Sequence, residues 1–86
     1  MPRPSKRRRI CDLPPCRRFE PHGAGEDALP VILTLDEYET VRLIDFLGLT
    51  QEQCAAQMNV ARATVQAIYG GARAKLARSL VMGIPL

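Results

Sequence analysis

The chain has 86 residues, a net charge of +3, 47% apolar residues and no Trp. This length supports one small domain with a tail and leaves little room for a buried catalytic cleft, so a binding module is expected rather than an enzyme. The apolar content excludes wholesale disorder. No apolar run approaches the roughly 18 residues of a transmembrane helix, and charges stand where a signal peptide needs an apolar stretch, so we expect a cytoplasmic protein with no membrane partner.

The charge is unevenly spread. Residues 1–18 carry seven basic groups (Arg3, Lys6, Arg7, Arg8, Arg9, Arg17, Arg18) against Asp12 alone. Residues 19–59 carry eight acids against Arg42 alone, and residues 60–86 carry Arg62, Arg73, Lys75 and Arg78 with no acid. Two basic ends around an acidic middle point to a polyanionic partner.

Residues 1–30 hold six of the seven prolines, which rules out a long helix, and they are expected to form an irregular basic arm. Arg3, Lys6, Arg7, Arg8 and Arg9 suit an extended arm lying along phosphates or entering a minor groove. The competing readings are a solvated tail or a nuclear localisation signal. Cys11, Cys16 and His22 are weak metal candidates: they supply three ligands where a structural zinc site wants four. Ordinary reduced thiols, no metal and no cofactor are expected.

Residues 31–86 are expected to form the folded domain. Val31, Ile32 and Leu33 are apolar and β-branched or extended in character, with no obvious strand partner. Thr34-Leu35-Asp36-Glu37 is a capping box, and a helix is expected from about Leu35 to Leu47 with Tyr38, Val41, Ile44 and Leu47 buried. Asp36, Glu37, Glu39 and Asp45 look like its solvated acidic face, with Arg42 as an ion-pair partner. Gly48 suits a left-handed stop. Thr50-Gln51-Glu52-Gln53 is a second capping box, opening a short helix to Met58 with Cys54, Ala55 and Met58 inward. A third helix starts near Arg62 and runs to about Leu80, with Val65, Ile68, Tyr69, Ala72 and Leu76 on one apolar arc. Gly70-Gly71 is expected to weaken or bend it.

Gln51 to Ile68 matches the helix-turn-helix pattern. Ala55 is small where the two helices cross, Asn59 tolerates the left-handed turn, Val60 follows it, and Val65 and Ile68 face inward. A helical hairpin packed for stability alone is the competing reading. Met1-Pro2-Arg3-Pro4 with the basic run, Cys11, Pro14, Phe19 with Pro21, Leu33 to Glu39, Arg42-Leu43, Ala55-Ala56, Met58, Val60-Ala61-Arg62, Thr64 and Ala72 to Ala77 give the chain its family likeness. On these residues it resembles the small predicted DNA-binding proteins of the UPF0251 (DUF134) family, which have a sigma-factor region 4-like helix-turn-helix. The resemblance covers nearly the whole chain and implies a transcription regulator. The chain departs from the family pattern at Ala61, where Ser is usual, and at Gly70-Gly71, where helix formers are more frequent.

The expected fold is thus all-α: a three-helix helix-turn-helix domain with an irregular basic N-terminal arm. Arg62 and Gln66 are candidates for guanine and adenine contacts, with Ala63 and Ala67 small enough for close approach and thymine-methyl contact. Thr64 and Arg73 are candidate phosphate contacts. The expected function is sequence-specific binding of double-stranded DNA. The alternatives are a helical adaptor docking on a protein of the transcription machinery, and an RNA-binding protein, although RNA readers normally present an aromatic platform that is lacking here. The apolar tail Leu80 to Leu86 is expected to pack with Val31 to Leu33, within one chain or across the two-fold axis of a homodimer.

Overall fold

The computed structural model describes Ile10 and residues 12–22 and 29–86. Arg3, Lys6, Arg7, Arg8, Arg9 and Cys11 lie outside the described residues. Among those described there is no strand. The elements are α1 (Leu35–Val41), a π-helical turn (Arg42–Phe46), α2 (Gln51–Met58) and α3 (Arg62–Met82). The all-helical expectation, with three helices in a helix-turn-helix arrangement, holds.

Both capping boxes form. The Thr34 amide donates to Glu37 Oε1 at 2.9 Å while the Glu37 amide donates to Thr34 Oγ1. The Thr50 amide donates to Gln53 Oε1, and the Gln53 amide donates back to Thr50 Oγ1 at 3.1 Å. Each pair satisfies two amides that a helix start leaves without an intrahelical acceptor. Gly48 takes positive φ at the stop expected of it, and Gly83 does so at the end of α3.

The first helix departs from its expected course. Regular α geometry ends at Val41, and the Leu47 amide donates to Arg42 O at 2.9 Å, a five-residue bond that widens the turn. The residues buried against the bundle are Glu39, Thr40 and Leu43. Tyr38, Val41 and Ile44 are only half-buried, and the wide turn carries Phe46 and Leu47 out to the surface. The Tyr38–Val41 side faces Leu13 and Pro15 of the N-terminal segment instead of the core.

Glu39 is likewise not on a solvated face. It is fully buried, and its carboxylate accepts from Arg42 Nε at 2.8 Å and from Nη2 at 2.9 Å. A buried carboxylate is tolerable only when paired and hydrogen-bonded in this way. Arg42 Nη1 also reaches Asp12 at 3.3 Å, which ties the N-terminal segment to the helical domain. Thr40, equally buried, donates to Glu37 O at 2.8 Å.

The core of Leu43, Cys54, Ala55, Met58 and Val65 joins the π turn, α2 and the start of α3. Farther along, α3 packs on α1 through Gly71 and Ala72. A Cβ built on Gly71 would stand 3.1 Å from Glu37 Oε2. The bare backbone there lets Glu37 settle on α3, where Lys75 Nζ donates to Glu37 Oε1 at 2.7 Å. The Gly70-Gly71 pair therefore does not break the helix: α3 is continuous for 21 residues, about 30 Å. Burial pushes the Glu37 carboxyl up, but Lys75 and the Thr34 amide and hydroxyl outweigh it and hold the group below its ordinary value.

The tail packs within the chain. Ser79 Oγ donates to Ile84 O at 2.6 Å, and the Ile84 amide returns to Ser79 O. Val31 N–H donates to Pro85 O at 2.8 Å, and Phe19 and Leu86 exchange both backbone hydrogen bonds. Ile84 and Pro85 are buried, whereas Leu80, Val81 and Met82 stay exposed on the last turn of α3.

Two predictions follow from the α1–α3 contact. Gly70 has nothing within 4 Å of an added Cβ, so Gly70→Ala should stabilise the fold by about 0.5–1 kcal/mol. Gly71→Ala, which must displace the Glu37 carboxylate, should gain less or lose; urea unfolding of both variants checks the contrast. Glu37 holds its proton less tightly folded than unfolded, so its contribution is full above the ordinary carboxylate range and is lost as pH falls through its lower folded value. Glu37→Gln should cost about 1–2 kcal/mol at neutral pH, and unfolding curves of the two proteins should converge below the carboxylate range.

Candidate nucleic-acid interface

The turn between α2 and α3 is built by three short residues. Asn59 caps α2 in the left-handed region at φ 59°, ψ 47°. The Asn59 and Val60 amides donate back to Ala56 O and Ala55 O. Ala55 is buried where the helices cross, and its methyl is the whole side chain between them. Ala61 then starts α3 in an extended conformation with no side-chain cap, as its methyl dictates.

With Val65 and Ala72 buried, the opposite side of α3 is uncovered. Arg62, Ala63, Gln66, Ala67, Gly70 and Arg73 are all exposed, and Thr64 is half-buried on the flank. Arg62, Gln66, Tyr69 and Arg73 follow one another at spacings of four, three and four, so they form one ridge along the helix. The structure thus places every α3 residue expected to contact DNA at the surface, with Thr64 at its edge.

Two cations on that ridge have partners outside α3. The Arg62 side chain is 61% exposed and stands 3.8 Å from Glu52 of α2. An exposed ion pair at that distance contributes little and exchanges readily with other anions. Arg73 is held more closely. Its Nη1 donates to Tyr69 Oη at 2.7 Å, and Tyr69 Oη donates to Asp45 Oδ1 at 2.6 Å. The Arg73 guanidinium carbon lies 5.4 Å from the centre of the Tyr69 ring. The bond to Asp45 raises the Tyr69 phenol above its ordinary value, with burial adding to the shift.

Asp45 and Tyr69 are the members of this site that sequence reasoning missed. The i, i+4 spacing of Tyr69 and Arg73 was visible, but Tyr69 was assigned to the apolar arc. Its ring lies at the arc's border, half-buried, and only the hydroxyl reaches the ridge. Asp45 lies 24 residues before Tyr69, and nothing local signals their meeting.

Of the weak metal candidates, Cys16 and His22 are among the described residues. Cys16 is exposed, its Sγ donating to Arg18 O at 3.0 Å, and His22 is also exposed. Among the described residues no group of three or more His, Cys, Asp or Glu side chains is placed to hold a metal ion. Cys54 is buried, and burial pushes its thiol up, with the charge of Glu39 adding to the effect. No helix among the described residues is long and apolar enough to cross a membrane.

A family model described as a protein of unknown function, DUF134, matches residues 1–86. A UPF0251 protein of Desulfitobacterium hafniense (strain DSM 10664 / DCB-2) is 60% identical over 85 residues, which are 96% of this chain and 67% of that protein. A UPF0251 protein of Syntrophobacter fumaroxidans is 52% identical, covering 100% of this chain and 56% of its own length. One from Halothermothrix orenii is 46% identical, covering 96% and 62%. The chain thus spans between about half and two thirds of the length of these relatives. No solved structure matches it. With the family model running its whole length and relatives this similar, the chain belongs to the DUF134 family.

Proposed function

We propose that this chain binds double-stranded DNA and reads its sequence with the first turns of α3, as a transcription regulator. The observation that carries this reading is the uncovered outer face of α3, with Arg62, Ala63, Gln66 and Ala67 exposed just beyond a tight turn capped by Asn59. A helix presented in this way fits the major groove by its N-terminal residues. Arg62 matches the acceptor pair of guanine and Gln66 the donor–acceptor pair of adenine. Ala63 and Ala67 allow the helix axis to approach the bases, and Thr64 on the flank and Arg73 farther along suit phosphates on either side. Arg3, Lys6, Arg7, Arg8 and Arg9 add sequence-independent attraction as an arm along the backbone or in the minor groove. Two copies on a symmetric site extend the contacted sequence, and the exposed Leu80, Val81 and Met82 supply an apolar surface on which copies pair.

Binding-site selection from a random duplex pool, followed by titration at several salt concentrations, tests this reading. With about 5–7 cations on phosphates, the log–log salt slope is expected near −4 to −6, and removing residues 1–9 should weaken all sequences and flatten it. A flat salt response would remove the DNA reading. A preference for single strands would favour RNA, and tight binding to a transcription protein without DNA binding would favour the adaptor.

Arg62→Ala and Gln66→Ala should each cost about 1–3 kcal/mol on the selected site and relax preference at one base pair. Both side chains are exposed, so thermal unfolding should barely change. An Arg62→Ala loss equal on every sequence would reassign Arg62 to a phosphate.

A further inference from the structure

This inference rests on the DNA reading and concerns how Arg73 is made available to a phosphate. In the free protein its guanidinium is already engaged by an anion of the same chain. Asp45 reaches it from the π turn, with Oδ1 at 3.9 Å from Arg73 Nη1. That separation is too long for a direct hydrogen bond, and the Tyr69 hydroxyl fills it, at 2.6 Å from the acid and 2.7 Å from the cation. A phenol has one proton and two acceptor sites. With the proton donated to Asp45, the oxygen presents its lone pairs to Arg73, which fixes where the guanidinium points.

We propose that Asp45 is an internal substitute for a DNA phosphate, and that Tyr69 is the positioning residue that keeps Arg73 from closing onto it. Arg73 is 62% exposed and Asp45 40%, so water and salt keep their attraction weak enough to exchange. A phosphate arriving at Arg73 meets the Asp45 charge beside it and is opposed by it. Asp45 therefore lowers affinity for any duplex, whatever its sequence, and leaves discrimination to Arg62 and Gln66 on the same ridge. Tyr69 acts in the opposite direction: without its hydroxyl Arg73 falls directly onto Asp45 and is withdrawn from the backbone. The geometry assigns to the π turn a role in binding, because that turn is what brings an acid of the first helical segment to the outer ridge of α3.

The test is a set of double-mutant cycles on the full chain. Asp45→Asn, Tyr69→Phe and Arg73→Ala, and each of the first two combined with Arg73→Ala, are titrated onto a random-sequence duplex of about 20 base pairs across a range of salt. Circular dichroism melts report folding, and Asp45→Ser replaces Asp45→Asn if the latter melts near the assay temperature. Asp45→Asn should tighten binding about 3- to 10-fold and steepen the salt slope by up to about one. Tyr69→Phe should weaken it about 3-fold. Both effects should vanish in the Arg73→Ala background. A gain from Asp45→Asn that persists without Arg73 would make Asp45 a diffuse surface charge and overturn the proposal, as would an unchanged affinity. Absence of duplex binding by the unmodified chain would overturn the DNA reading along with it, whereas normal binding without the Asp45 response would overturn this inference alone.

Discussion

The arrangement of the molecule depends on one carboxylate. Glu37 caps its own helix through the Thr34 amide and pairs with Lys75 of α3, with its side chain only 13% exposed. Gly71 leaves the carboxylate room beside α3, since a Cβ there would stand 3.1 Å from Glu37 Oε2. Fixing α1 there covers one side of α3 at its middle, and α2 covers that same side at its beginning. The opposite side is then left open along the length of a continuous helix, which is the condition for using it to read a ligand. A glycine pair that weakens an isolated helix is thus accounted for, at Gly71, by what packs against it.

The second constraint is the full burial of Glu39. Arg42 answers it with two hydrogen bonds and then opens the π turn. An uninterrupted α-helix places Leu47 in phase with Leu43 and keeps the following residues on the inner face. The wider turn rotates the end of the segment outward, so that Asp45 meets the Tyr69 hydroxyl and Phe46 stands in solvent. Arg42 also holds Asp12, so the same guanidinium that neutralises the core acid sets where the N-terminal segment joins the domain. Departures from regular helix geometry concentrate at functional places in proteins, and here the departure lies beside the ridge of α3.

What was legible in the sequence was local. Thr34, Thr50 and Asn59 define helix ends by chemistry within four residues of themselves, and each takes the role its side chain suggests. Ala55, Cys54, Met58 and Val65 were readable as core because α2 and α3 are joined by a short turn that leaves few ways to pack. What was not legible depends on residues far apart in the chain. Glu37 meets Lys75 at a separation of 38 residues, so nothing local to Gly70-Gly71 announces that α1 packs against α3 there. Leu43 was missed as a core residue and Glu39 was misread as solvated for a related reason. The apolar stripe of α1 had two neighbours to choose from, the bundle and the N-terminal segment, and periodicity cannot tell which side each will take. The outer ridge of α3 was legible residue by residue, but the acid that meets it was not.

Burial separates two kinds of ion pair among those made by the first helical segment, α2 and α3. Glu37 with Lys75 and Glu39 with Arg42 are close, partly or wholly buried, and hold helices in place. Glu52 with Arg62 and Asp45 with Arg73 are longer and exposed. Removing a partner from the first kind leaves a poorly solvated charge and damages the fold. Removing a partner from the second leaves a hydrated charge and damages little. The cations of the first kind are therefore committed to architecture, while those of the second are held by solvated anions and stay exchangeable. Arg62 and Arg73 both stand on the exposed side of α3, so the DNA reading proposed for that side draws on charges whose pairs can break without cost to the core.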